Sequence, residues 1–168
     1  MVNLRRNAQF DAPADRLLSA ATDPELLRAR ITPGTSAGSS VREVSRDSAR
    51  LVQELVSQDY ARTKTGGLDR SRIEGSVTRY EWDLASRHCT WIWSGPRPDR
   101  VRLSGTIDIR PSGAGSELHT EFEIEVRIPL IGRMVERIMR SEIEGDLPRY
   151  EALVRRAVSS SEQAPIST

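Results

Sequence analysis

The fold is decided by residues 117–128, which read ELHTEFEIEVRI and alternate strictly between two kinds of side chain. Successive side chains of a β-strand point to opposite faces, so this period of two predicts a strand with one solvated and one buried face. The solvated face carries the charged members, and the buried face carries Leu118, Thr120, Phe122, Ile124, Val126 and Ile128. Such a strand needs a second element to cover its buried face.

The covering element follows directly in the chain. From Leu130 onward, apolar residues recur at helical spacing, first as Ile131, Met134, Val135, Ile138 and Met139, then as Ile143, Leu147, Tyr150, Leu153, Val154 and Ala157. This spacing predicts a long C-terminal helix. The apolar stripe rotates by roughly a quarter turn between the two halves. Gly145 and Pro148 lie at the crossover, so we expect a bend that lets the helix follow a curved sheet.

The chain before this segment supplies the rest of an α+β domain. Residues 2–10 alternate and predict the first strand, and Asp11-Ala12-Pro13 and Thr22-Asp23-Pro24-Glu25 mark the starts of two short helices. Gly34–Ser40 is predicted to be a flexible loop. Six further strands are predicted near residues 41–47, 49–59, 73–84, 88–94, 101–110 and 116–128. We therefore predict a seven-stranded curved antiparallel sheet in one domain, residues 1–158, and a disordered polar tail, residues 159–168.

The composition narrows the classes of function. The formal net charge is +1, which gives no overall field for nucleic acid. One cysteine, Cys89, and two histidines cannot assemble a zinc site, and we predict neither a metal nor a cofactor. No apolar run reaches the ~18 residues of a membrane span, and the N-terminal arginines precede no signal sequence. We expect a cytoplasmic protein, monomeric or homodimeric, without integral membrane association.

Two stretches resemble a known superfamily. The first is Phe10–Arg16 continuing to Thr22-Asp23-Pro24-Glu25, and the second is Val126–Gly132 leading into Glu136-Arg137-Ile138. Both are similar to segments of the START-like superfamily, also called SRPBCC or Bet v 1-like, and the second is similar to an uncharacterised bacterial branch. The resemblance implies a helix-grip fold, in which a curved sheet and a long helix diverge around an apolar cavity. The superfamily includes lipid and sterol carriers, hormone receptors, polyketide aromatases/cyclases and chaperone co-factors, and fold alone does not choose among them.

Strand alternation selects the residues that would line this cavity. If the hairpin around Ala85-Ser86 is tight, Tyr80 lies opposite Trp91, Trp82 lies opposite Cys89, and every tryptophan faces inward; a loop one residue longer would turn Trp91 and Trp93 outward. Glu54 joins the lining if the uncertain register of its strand turns it inward in place of Gln53. The predicted ligand-binding residues are Tyr80, Trp82, Trp91, Trp93, Leu103, Phe122, Met134, Ile138, Met139 and Glu54.

Three functions fit these residues. The leading hypothesis is the binding of a small hydrophobic ligand, such as a lipid, a polyketide or an aromatic metabolite. The alternatives are a cyclase/aromatase-like or hydratase-like enzyme, with Glu54, Tyr80 or Thr120 moving protons, and a protein-interaction module. We predict no catalytic residues: His88 and His119 belong to solvent faces, and Cys89 has no partner that would activate it.

Overall fold

The computed structural model describes residues 1–160. The elements follow in the order β1 Val2–Phe10, α1 Ala14–Ala21, α2 Pro24–Arg28, β2 Ser36–Arg46, β3 Arg50–Arg62, β4 Leu68–Asp83, β5 His88–Ser94, β6 Val101–Ser112, β7 Gly115–Val126 and α3 Gly132–Ser160. Every pairing is antiparallel, and the strand order is β1-β7-β6-β5-β4-β3-β2. The predicted fold class is confirmed: a seven-stranded curved sheet, two short helices after the first strand and a long C-terminal helix.

The two short helices close one end of the sheet. Asp23 caps α2 through its side-chain oxygen, which accepts hydrogen bonds from the backbone N–H groups of Glu25 at 2.9 Å and Leu26 at 3.0 Å. Pro24 occupies the first turn of α2, where its missing N–H costs no hydrogen bond. Leu17 of α1 and Leu27 of α2 are fully buried. α1 therefore packs between the sheet and α3, and α2 packs on α1 and β2.

The strand β2 starts earlier than the sequence predicts. It begins at Ser36, inside the segment Gly34–Ser40 that we predicted to be a loop, and pairs with β3 through an irregular register. As an edge strand it is largely exposed, so its serine and glycine residues satisfy the backbone pairing without any apolar alternation. The segment therefore lacks the pattern by which a strand is recognised.

The helix α3 is one continuous element that contains Pro148. Its C-terminal half is tied to β1 by a two-pronged ion pair, in which Nε and Nη2 of Arg6 donate to the Glu151 carboxylate at 2.8 and 2.9 Å. The helix includes Ser159 and Ser160, the first residues of the predicted tail, and residues 161–168 lie outside the described part. The bend near Gly145 stays a prediction. No helix among residues 1–160 has the length and apolarity needed to cross a membrane.

Candidate ligand-binding site

The inner face of the sheet is organised in levels, because residues paired across neighbouring strands point to the same side. Three levels concern the site. The middle level contains Gln53, Tyr80, Trp91, Gly105 and Phe122. The lower level, nearer the β4–β5 turn, contains Leu51, Trp82, Cys89, Ile107 and Thr120. The upper level contains Leu55, Thr78, Trp93, Leu103 and Ile124.

The β4–β5 hairpin has the tight register that places the tryptophans inward. Tyr80 pairs with Trp91, and Trp82 pairs with Cys89, as the shorter of the two predicted loops requires. The turn ends at Arg87, whose φ of 53° lies in the left-handed region. Trp93 pairs with Leu103 on the same face. The inward orientation of the tryptophans is thereby confirmed.

A glycine makes room for the central tryptophan. A Cβ on Gly105 would lie 2.8 Å from the Trp91 ring and 1.8 Å from the carbonyl oxygen of Glu121, distances that no side chain tolerates. The Trp91 indole therefore lies over the backbone of β6. There it meets Phe122 edge-on, with the ring centroids 5.3 Å apart and the planes at 69°. The middle level is consequently packed tightly between β5 and β7.

Burial falls toward the centre of the upper level, whereas Leu55 and Ile124 at its two sides are 4% and 0% exposed. Trp82, Cys89 and Ile107 are 2%, 0% and 0% exposed, whereas Trp93 and Leu103 of the upper level are only half-buried. The helix shows the same gradient along its length: Tyr150 and Val154 are buried, and Ile143 and Leu147 are half-buried. The helix α3 packs on β1, β7 and α1, and we infer from the burial gradient that it diverges from the sheet toward Trp93 and Leu103. We call the space between the sheet and α3 at the upper level the cleft.

An ion pair joins the end of β3 to α3. Arg62, at the end of β3, lies 3.0 Å from the carboxylate of Glu142 on α3. The same arginine donates through Nη1 to the carbonyl of Gly66 in the β3–β4 turn at 2.9 Å. Both partners are exposed, so the pair is weak and can open without a large cost in free energy.

Arg30, in the segment after α2, reaches the interior between the sheet and the helix. Its guanidinium carbon lies 4.4 Å from the ring centroid of Tyr150 on α3 and 5.7 Å from that of Tyr80 on β4. The segment is fixed by Arg149, whose Nη2 donates to the carbonyl of Ala29 at 2.7 Å and to that of Ile31 at 3.4 Å. The Arg30 guanidinium therefore makes cation–π contacts with the rings of Tyr150 and Tyr80, beside the middle level.

Two titratable groups of the inner face are neutral at physiological pH. Burial raises the pKa of the Tyr80 hydroxyl to about 12, and it raises the pKa of the Cys89 thiol to about 12. A protonated tyrosine can donate a hydrogen bond to a ligand, but it is a poor proton acceptor. The Cys89 thiol, which is fully buried, behaves as a small apolar group.

Glu54 does not line the inner face. Its side chain lies on the outer face, 3.0 Å from Arg79 and in contact with Arg42, and the hydrogen bond from Arg42 lowers its pKa. Gln53 takes the inward position and is 1% exposed, with Nε2 donating to the Thr22 carbonyl at 2.9 Å. The physical reason is the pairing of Gln53 with Tyr80, because pairing with an inward residue fixes which face each residue of β3 occupies.

Met134 and Ile138 also lie elsewhere than predicted. They are 47% and 41% exposed, and Leu130 and Ile131, which directly precede α3, are exposed as well. The rotation of the helix is set where it leaves β7: the backbone N–H of Val126 donates to Oε1 of Glu136 at 3.0 Å. This bond turns Glu136 toward the sheet, and the apolar residues on the opposite side of the helix turn outward.

Of the remaining predicted residues, those on the sheet lie on its inner face. Tyr80, Trp82, Trp91 and Phe122 are buried there, and Trp93, Leu103 and Met139 are half-buried. Sequence reasoning missed Arg30, which follows α2 in a polar stretch that looks like ordinary surface. Extending the inner stripe of Tyr150, Leu147 and Ile143 backward at helical spacing would have led to Met139 and Glu136 instead of Met134 and Ile138.

Two small depressions lie outside the cleft. One, of about 110 Å³, lies between β1 and the end of α3, and the other, of about 200 Å³, lies over β5–β7 and is lined mostly by outer-face residues. Both are smaller than the roughly 300 Å³ at which sites for drug-sized molecules begin. Among residues 1–160, no group of three or more His, Cys, Asp or Glu side chains could hold a metal ion.

A curved antiparallel sheet that grips a long C-terminal helix, with two short helices after the first strand, is the helix-grip fold of START-like and Bet v 1-like proteins. The chain resembles TTHA0849 of Thermus thermophilus, with a TM-score of 0.65 at 19% identity, over 95% of this chain and 99% of that one. It also resembles the Zhui aromatase/cyclase of Streptomyces sp. R1128, with a TM-score of 0.55 at 17% identity, over 99% of this chain and 96% of that one. A START superfamily protein of Mycobacterium smegmatis gives a TM-score of 0.55 at 16% identity, over 94% of this chain and 97% of that one.

By sequence, the chain belongs to the family described as protein of unknown function DUF2505, which matches residues 6–158. No curated protein matches it. The family agrees with the resemblance of residues 126–138 to an uncharacterised branch of the superfamily. The identities to the solved structures are low, so these likenesses establish the fold of the chain.

Proposed function

We propose that the protein binds a small hydrophobic ligand, such as a lipid, a polyketide or an aromatic metabolite, in the cleft between the upper level of the sheet and α3. The observation that carries this proposal is the half-exposed pair Trp93 and Leu103 on the inner face. Large apolar side chains at this position would be fully covered if the helix packed on the sheet along its whole length. The cleft belongs to a single chain, so a monomer or each half of a homodimer would contain a complete site. The cytoplasm remains the proposed location.

The comparisons support a binding role in general terms. A Bet v 1-like protein, Ara h 8.0201, and the aromatase/cyclase are among the solved structures that share the fold. An enzymatic role of the cyclase type is less well supported by the geometry. Glu54, the carboxylate that we considered for proton transfer, lies outside the interior, and the raised pKa of Tyr80 disfavours its action as a base.

The experiment is a titration with phenylnaphthylamine, an uncharged dye that fluoresces in apolar surroundings. The test variant is Leu103→Trp, which fills the cleft, and the matched control is Ile92→Trp, which adds the same ring on the outer face, where Ile92 is 49% exposed. We expect Leu103→Trp to weaken dye binding by roughly tenfold or more, because it occupies the volume that the dye needs. Ile92→Trp should bind as the parent does. Equal affinities in both variants, with both folded, would contradict the proposal.

A further inference from the structure

Arg30 is a half-buried cation without an anionic partner among residues 1–160. Its Nε is inaccessible to solvent and has no hydrogen-bond partner, and residues 1–160 place no carboxylate within ion-pair distance of its guanidinium. The two tyrosine rings beside it are cation–π partners, and neither of them supplies the negative charge of a carboxylate. An arginine always carries its charge in a protein, so it cannot become neutral by releasing a proton.

Other charged groups on the inner surface are compensated. Glu151 receives two hydrogen bonds from Arg6, and Glu136 receives one from the backbone of Val126. Asp59, near the upper end of β3, accepts hydrogen bonds from the hydroxyl groups of Ser57 and Ser76. Arg30 therefore differs from these groups, because its positive charge has no carboxylate partner among residues 1–160.

The unpaired buried polar atoms of the inner face are mostly donors. Nε1 of Trp82, Nε1 of Trp91 and the hydroxyl of Tyr150 are buried without a hydrogen-bond partner in the described part of the chain. Tyr150 is one of the two rings under Arg30, and Trp91 pairs across the strands with Tyr80, the other ring. One unpaired atom is an acceptor, Oε1 of Gln53. Gln53 lies on β3 directly opposite Tyr80. Indole and guanidinium N–H groups can only donate, so their partner must be rich in acceptor oxygens.

We infer that the ligand is an apolar acid whose carboxylate is bound by Arg30, with the N–H or O–H groups of Trp91 and Tyr150 as neighbouring donors. This inference rests on the proposed function and names the chemical class of its ligand. The carboxylate supplies the charge that Arg30 lacks, and its two oxygens match the guanidinium fork. The apolar body of the ligand extends from the middle level toward Trp93 and Leu103.

The experiment compares dodecanoate with dodecanol as competitors that displace phenylnaphthylamine. The two compounds share the hydrocarbon chain and differ in the headgroup. We expect the parent protein to bind dodecanoate at least about tenfold more tightly than dodecanol, as a charge-assisted hydrogen bond in a buried site should give. Arg30→Gln should reduce this ratio to about twofold or less while dodecanol binding stays unchanged. The control is Arg28→Gln, since Arg28 lies on the exposed side of α2 and is paired with Glu25.

Each result decides the inference. A parent protein that binds dye but does not prefer dodecanoate overturns the anionic ligand and leaves the proposed function standing. A preference that survives in Arg30→Gln overturns the role of Arg30. Failure of the parent to bind dye at all overturns the proposed function, and the inference with it. If Arg30→Gln does not fold, Arg30→Lys decides: an ammonium lacks the fork, so the preference should fall about threefold or more, and an unchanged preference contradicts the inference.

Discussion

Replacing Gly105 with alanine tests whether the Trp91 indole lies over the backbone of β6. The new Cβ would lie 1.8 Å from the Glu121 carbonyl oxygen and 2.8 Å from the Trp91 ring. The carbonyl belongs to the neighbouring strand, so either the β6–β7 pairing or the indole must move. Overpacking of this kind costs about 1–3 kcal/mol, and a weakened strand hydrogen bond adds about 0.5–1.5 kcal/mol. We expect the free energy of unfolding to fall by about 1.5–4.5 kcal/mol in total.

The assay is urea unfolding followed by tryptophan fluorescence, with Gly145→Ala as the matched control. A Cβ on Gly145 meets no atom within 4 Å, and the residue lies inside α3. Alanine is the better helix former, so Gly145→Ala should stabilise the protein by about 0.5–1 kcal/mol. The two glycine substitutions should therefore change the free energy of unfolding in opposite directions. A Gly105→Ala protein as stable as the parent would refute the placement of Trp91.

Three further predictions concern groups that the fold buries. Glu151→Gln removes the two-pronged ion pair and leaves Arg6 unpaired, so the free energy of unfolding measured in urea should fall by about 1–3 kcal/mol. An unchanged free energy of unfolding would contradict the anchoring of α3 to β1. The Cys89 thiol should react with a thiol reagent only after unfolding, because it is inaccessible and its pKa is raised to about 12; rapid modification of the native protein would show that β5 is misplaced. The hydrogen bond from the backbone of Val126 holds the pKa of Glu136 below its ordinary value of 4.5. The ionised Glu136 carboxylate therefore stabilises the fold above pH 4.5, and this stabilisation is lost as the pH falls through the native pKa. Acid unfolding should therefore show the parent losing its advantage over Glu136→Gln below pH 4.5, and a pH-independent difference would rule this out.

The sequence is informative where structure depends on near neighbours in the chain. Alternation along residues 117–128 predicts β7 and its inner face. The short connection after Leu84 left two hairpin registers open, and the structure has the tighter one, which places Tyr80 opposite Trp91. Asp23 and Pro24 mark the start of α2 because a cap acts within one helical turn.

The parts that sequence reasoning missed depend on contacts between distant segments. The rotation of α3 is held by polar contacts, the hydrogen bond from Val126 to Glu136 and the ion pair of Arg6 with Glu151, which a search for apolar stripes does not weigh. Whether Gln53 or Glu54 faces inward depends on the pairing of β3 with β4, since both residues are polar. Arg30 enters the interior because Arg149 holds the segment after α2 against α3, a contact across more than a hundred residues.

The most direct measurement of the ligand site is the set of nuclear Overhauser effects between bound phenylnaphthylamine and protein protons. Contacts with the Trp93 indole and the Leu103 methyl groups are predicted, because both side chains face the cleft. A dye whose contacts run instead to Ile92 on the outer face, or to Met134 and Ile138 on the exposed side of α3, would contradict a binding site between the sheet and the helix.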